Sequence, residues 1–476
     1  MNKSILAALL LVSLHDAVAA PVVHPLQHQP PNGAGIAFLL TDGTVLAQGN
    51  TGSDWWKLTP DNTGNYAHGT WSKAASLQAG NKPYAFASAV LADGRVVIAG
   101  GEYEGPNFAL TNQVAIYDPR RDTWTPLAAP PGWSTIGDSP SVVLPDGSFL
   151  LGQKLTTNIA RLDPKTLTWT AMGSTGKGHF NSEEGWTLMP NGQILTADVK
   201  TAPDSQFYNP STQRWTSAGS TIVDLHSPTD VTGCISFPGG CYFPPGEIGP
   251  QILRPDRTVF VTGGTPTGGT SGHTAVYHPG THTWVPGPDF PAGDDAGDDG
   301  AVLLPSGNVL VGSTKGVLYE FDGTNLTATA SSVGFPVLLL PNGQALLEGG
   351  TAISTYVADG VAQPQWRPSI TSVPTTLTHG QTYTVSGTQF NGLSQAAAFG
   401  DELETATNYP LVRITNKATG HVSYARTHDH SSMGVATGSA IVTTQFDVPA
   451  TIETGASTLV VVANGIASAA VSITVN

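Results

Sequence analysis

Cysteine is nearly absent from this chain: Cys234 and Cys241 are the whole supply in 476 residues. Two such residues cannot carry a metal or redox centre alone. In an oxidising compartment the segment CISFPGGC can close as a local disulfide between Cys234 and Cys241, which would tie down one loop and little else. Charge is scarce as well, at 12% of residues, and cations are the scarcer kind. Lys and Arg total 20 against 35 Asp and Glu, a formal net charge of −15. Nucleic acid and anionic membrane both demand clustered cations, so neither is an expected partner. Long apolar runs are missing beyond the first twenty residues, and no membrane span is expected.

The first residues have a purpose of their own. A Lys3 start, an apolar stretch from Ile5 to Leu14 and the small residues Ala17-Val18-Ala19-Ala20 read as a secretory signal over residues 1–19. Pro21 disfavours cleavage directly before it, which places the cut after Ala19. The protein is therefore expected to be secreted, periplasmic or extracellular.

What the chain does have is glycine (55) and proline (36), as a fold of many short strands and turns requires. They fall in a repeat. IAFLLTDGTVLAQG, SAVLADGRVVIAGG, SVVLPDGSFLLGQ, WTLMPNGQILTAD, QILRPDRTVFVTGG, AVLLPSGNVLVGS and VLLLPNGQALLEGG are seven copies of one apolar hairpin. Their turns lie at Asp42, Asp93, Asp146, Asn191, Asp256, Ser306 and Asn342, at intervals of 51, 53, 45, 65, 50 and 36 residues. That spacing centres on the ~50-residue period of kelch-type propeller blades. Asp-Gly and Asn-Gly favour tight turns between paired strands. Further strands end in Tyr117-Asp118-Pro119, Leu162-Asp163-Pro164, Tyr208-Asn209-Pro210 and Tyr277-His278-Pro279. Trp71, Trp124, Trp169, Trp215 and Trp284 then close their units as blade core. Blade seven is expected to run through Tyr356 to Trp366.

The pattern changes at Trp366-Arg367-Pro368. Alternating segments follow from Ser369, with strands at Leu411 to Thr415, His421 to Arg426, Ala440 to Phe446, Leu459 to Ala463 and Ala469 to Val475. The expected fold is all-β: a seven-bladed kelch-type β-propeller over 22–367, followed by an immunoglobulin-like β-sandwich over 368–476.

This arrangement resembles the galactose oxidase and glyoxal oxidase family of copper-radical oxidases over nearly the whole mature chain, with an early-set sandwich as its second part. The LLLPNG-type hairpins, the sandwich entry at Pro368 to Gly387 and the stretch YPLVRITNKATGHVSYARTHDHSSMGVATG carry the resemblance. It implies that a sandwich loop enters the propeller channel and brings a histidine to the metal, and His428 is the matching position. The other ligands are missing. Val333-Gly334-Phe335-Pro336 stands where the family places a Tyr-His pair. Ala85 and Asp138 stand where its radical tyrosine should be, with Tyr84 one place off, and no cysteine is near. Copper is therefore not expected.

Carboxylates occupy the vacated region. Ahead of successive inner strands stand Asp138, Glu183 with Glu184, Glu247, and Asp295 with Asp298, all aimed at the channel mouth. Carboxylates this close must be protonated, paired with a cation or holding a metal. His428 and His430 alternate along a strand and would face one side. With the acids they would suit Mn, Fe, Zn or Ca. Equally, the acids can cap backbone amides or face water, and the histidines can anchor their loop by hydrogen bonds. Three functions fit. The foremost is a secreted protein that binds a glycan or other extracellular small molecule at the propeller face. Next come an enzyme with a rebuilt carboxylate/histidine site and an oxidase whose ligands align differently.

Overall fold

The computed structural model describes residues 21–227, 246–331, 334–349, 352–397 and 405–476, with the backbone of two further strands, Ile235–Phe237 and Gly240–Tyr242. The expected signal at 1–19 and the expected Cys234–Cys241 disulfide lie outside the described residues.

Each hairpin of the repeat opens a four-stranded antiparallel sheet, seven in all. In blade one, Ala37–Leu39, Val45–Gln48, Trp55–Thr59 and Thr70–Ala74 succeed one another outward. The later inner strands are Ala87–Val90, Ser141–Val143, Thr187–Leu188, Ile248–Leu253, Ala301–Leu303 and Phe335–Leu339. From blade two onward these pack side by side, and the last lies against Ala37–Leu39, so the ring closes. The fold is an all-β seven-bladed propeller.

The turns are built by one device. At each, the side chain of the turn residue accepts the backbone N–H two residues on, as Asp42 does from Thr44 at 3.0 Å and Asn191 from Gln193 at 3.0 Å. Only the following residue has positive φ, for example Gly147 at 84°. These are type I turns closed by a left-handed residue, not two-residue mirror turns. Pro145, Pro190, Pro255, Pro305 and Pro341 explain the choice, because proline fixes φ near −65°, which a mirror turn forbids.

The tryptophans are more than filler. Across outer strand pairs, Tyr117–Trp124, Tyr208–Trp215 and Tyr277–Trp284 have ring centroids 5.0 to 5.2 Å apart. Three indole N–H groups reach back one blade: Trp124 donates to Ala75 O at 3.1 Å, Trp169 to Ala128 O at 2.8 Å and Trp284 to Ala218 O at 3.1 Å. Blade seven differs from expectation. Its outer strand is Val22–Pro25, paired with Ser354–Val357, and Trp366 instead ends a short 3-10 turn outside the blade. A ring needs its last blade tied to its first, and the N-terminal strand does that.

Ser369 to Val475 form a second β unit, an eight-stranded hydrogen-bonded path around one apolar cluster that includes Val385, Phe390, Ile414 and Phe446. It sits on the turn face of the propeller. Thr427 N donates to Thr41 O at 3.0 Å, His430 N to Ala92 O at 3.2 Å and Met433 N to Pro145 O at 2.9 Å. A different segment of this unit meets the inner strands of the ring. Gln395 Oε1 accepts from Leu188 N at 3.4 Å, Ala396 O from Leu303 N at 2.9 Å, and Thr405 Oγ1 donates to Val337 O. The channel is thus entered around Gln395, and the expectation that the His428 loop enters it is corrected.

Candidate functional site

Inner strands begin at the face opposite the second β unit, and the strand after each turn returns there. This geometry gathers side chains from two sequence positions per blade at the channel mouth. Ahead of inner strands come Asp138, Glu183, Glu247 and Asp298; after returning strands come Glu102 and Lys154.

Lys154 is the centre. Its ammonium bridges Asp138 Oδ2 and Glu183 Oε1, and the side chains of all three are buried. Glu102, Asp138 and Glu183 can bring one oxygen each within 4.8 Å of one another, the one such grouping of three metal-type donors among the described residues. Lys154 supplies the cation there. One ammonium neutralises one carboxylate. Burial opposes ionisation of Glu183, but Lys154 and hydrogen bonds from Glu247 and Asp138 overcome it and hold that carboxyl down at about 2. Burial raises Asp138 well above the usual range against the pull of Lys154, so it keeps its proton. Toward the open rim, burial and then Glu183 push Glu247 up to about 12. The Asp298 side chain meets solvent, yet the enclosed approach and then Glu183 raise it to about 7. Glu102 is raised too, by burial first, with Lys154 opposing. Asp138 Oδ1 and Glu247 Oε2 are enclosed with no hydrogen-bond partner among the described residues.

Four of the six expected acids therefore meet. Glu184 turns away into a separate buried pair with Lys177 at 2.6 Å, whose ammonium lies 4.5 Å from the Trp215 ring centroid. Burial, partly offset by Lys177, raises Glu184 to about 7. Asp295 braces a loop by accepting from Thr265 N at 3.1 Å and Thr265 Oγ1 at 2.7 Å.

The histidines stand apart from the acids, which corrects the expectation of a shared ligand set. His428 places Nδ1 2.8 Å from Asp429 and Nε2 3.2 Å from Asp447, beside the Asp93 turn. His430 contacts Thr444 Oγ1 at 2.8 Å and stacks on Tyr409; burial and then His428 lower it to about 3. Both anchor the second β unit.

A cavity of about 250 Å³ lies at the mouth ends of blades seven, one and two, between Ile36, Ala85, Phe86, Phe335 and Val337. These include the positions where the resemblance would put copper ligands. Among the described residues, the polar groups there are Gln48, Asn50, Tyr84 and Glu348, with no imidazole or thiolate. Tyr84 stands on a small extra sheet, Pro83–Tyr84, Tyr103–Glu104 and Asn107–Phe108, whose middle strand directly follows Glu102.

Among known proteins, the Kelch-like protein terF of Aspergillus terreus (strain NIH 2624 / FGSC A1156) is 25% identical over 293 residues, 52% of this chain and 54% of that one. The match spans about half the length of that relative, and its name agrees with the period read from the hairpins. A fungal alcohol oxidase of the AA5 family, in complex with copper, superposes with a TM-score of 0.49 at 15% identity, over 96% of this chain and 99% of its own. A streptogramin B lyase gives 0.46 at 10% identity, over 71% and 97%. No protein-family model matches the chain. Likeness at this level transfers no activity.

Glu102 and Lys154 were missed because only residues ahead of inner strands were considered. The signal was present: each lies within three residues of the end of a returning strand, in GGE and GQK, and a lone lysine among acids at a mouth is conspicuous in so cation-poor a chain.

Proposed function

We propose that this chain is an exported ligand-binding propeller that takes a glycan at its channel mouth and carries no copper-radical centre. The observation behind this reading is five carboxyl groups around a single buried lysine, grading from an enclosed base at Asp138 to an open rim at Asp298. Carboxyl oxygens are strong acceptors for sugar hydroxyls. Copper is disfavoured because the cavity at the family's ligand positions offers one phenol, two carboxamides and one carboxylate. Calorimetric titration of the mature chain with a panel of oligosaccharides tests the reading. Binding that weakens at least tenfold in Glu247→Gln supports it, and the absence of any glycan binding sinks it. Bound-metal analysis and peroxide release after copper loading test the second half.

A second reading is an acid–base enzyme. Glu183 and Glu247 are neighbouring carboxyls whose surroundings drive them in opposite directions, Lys154 lowering the first and burial raising the second, and a bound substrate that draws them together would supply a base and an acid side by side. Turnover of an oligosaccharide that disappears in Glu183→Gln would put this reading first.

A further inference from the structure

The mouth is short of cations: Lys154 serves as counter-charge to Glu183, and the other carboxyls are driven toward keeping their protons. Glu102, Asp138, Glu183, Glu247 and Asp298 share Lys154 as the one cation among the described residues that acts on all of them. Asp138 is fully buried with its Oδ1 unpartnered, and Glu247 Oε2 is in the same state. A hydroxyl ligand would satisfy an oxygen and leave the acids protonated. An ammonium satisfies up to three oxygens and supplies the counter-charge that lets a further carboxyl ionise, its proton passing to solvent.

The second, independent feature lies beside it. Tyr84 is 50% exposed, next to the cavity of blades seven, one and two, although tyrosine normally buries its ring. It is held there firmly. Tyr84 pairs with Tyr103 in the extra sheet, their ring centroids are 6.2 Å apart, and Tyr103 meets Phe108 edge-on at 6.0 Å. Ala85, the next residue, adopts a φ of 52°, a left-handed conformation that is costly for a residue with a Cβ. Tyr103 in turn hydrogen-bonds Glu102, so the aromatic pair runs directly into the acidic mouth.

We propose that the ligand is an amino sugar: a pyranose ring stacks on Tyr84 while a free ammonium substituent on it, or on the adjoining ring, enters the carboxyl cluster at Glu102. This rests on the glycan reading above and narrows it. The hydrophobic CH face of a pyranose suits an exposed phenol, and a protonated amine beside it is the group the cluster lacks. Neutral sugars would gain the stacking and hydroxyl hydrogen bonds and bring no cation.

The test uses the mature chain and two probes of equal length, a hexamer of β-1,4-linked glucosamine and its fully N-acetylated counterpart. Titration calorimetry at low and high salt is run on the wild type, Tyr84→Ala and Glu102→Gln. The amine hexamer is expected to bind at least tenfold tighter than the acetylated one, and 0.5 M salt is expected to reduce that preference. Glu102→Gln should shrink the preference severalfold, weakening the amine hexamer more than the acetylated one. Tyr84→Ala, at an exposed position, should weaken both probes by about tenfold, the scale of one lost ring stack. Circular dichroism confirms that both variants are folded. Equal affinity for the two hexamers overturns the amino-sugar inference and leaves glycan binding standing. Binding of neither hexamer, with another neutral glycan bound, does the same. Failure of every glycan removes both.

Discussion

Val23 and Tyr356 face each other in one antiparallel ladder, so the first described strand is the outer strand of the last blade. The closure continues past the strand, where Leu26 N donates to Ile353 O at 3.0 Å and Gln29 Oε1 accepts from Ile353 N at 2.7 Å. Deleting residues 22–29 leaves blade seven with three strands and an open edge. The melting temperature is expected to fall by roughly 10 °C, the size of a loss of a few kcal/mol in a domain this large. Calorimetry with limited proteolysis reads both the loss and where it begins. An unchanged transition would show that the second β unit alone holds the ring shut.

Lys154 gives the sharpest prediction at the mouth. Lys154→Met removes the counter-charge of buried Glu183 and the ammonium that contacts Asp138, a change that typically costs ~3–5 kcal/mol. Adding Asp138→Asn and Glu183→Gln removes the stranded charge and should restore most of that loss. Chemical denaturation of the single and triple variants distinguishes the two outcomes. A single variant as stable as the wild type would mean that the acids are already neutral without Lys154.

Blade five breaks the turn rule. Where the other six turns have glycine, Arg257 takes the left-handed position at a φ of 73°. Arg257→Gly relieves that strain and is expected to stabilise the protein by about 0.5–1 kcal/mol. Denaturant titration checks it. A loss of stability would assign the arginine side chain a contact worth more than the strain.

Most of the architecture was legible because seven turns repeat one chemistry, and a hairpin is local. Val22–Pro25 was not, since its partner Tyr356 lies at the far end of the propeller and a four-residue edge strand carries no pattern of its own. The acids are legible by their position ahead of inner strands, and the fold brings Asp138, Glu183, Glu247 and Asp298 together. Glu184 follows Glu183 directly and so points the other way, as alternation along an extended chain requires. His428 was misplaced by resemblance. The loop around it is polar because it docks against the turns of blades one to three, while small residues near Gln395 and Ala396 are what the narrow channel admits.

Asp299 links the site region to pH. Its side chain is buried, Oδ2 has no partner among the described residues, and no cation is among the groups that shift it. Burial first, then Asp295 and Asp294, raise it to about 7. A raised carboxyl binds its proton more tightly when folded than when unfolded. The stability this contributes is complete below the unfolded value near 4 and is lost as pH rises through about 7. The wild type is expected to be more stable at pH 5 than at pH 8, with Asp299 accounting for on the order of 2–4 kcal/mol of the difference. Asp299→Asn keeps the shape and cannot ionise, so its stability should vary less over that range. Denaturation midpoints for both proteins at half-unit pH steps provide the comparison. Parallel curves for the two would show that Asp299 ionises normally in the folded chain and that any slope belongs to other groups.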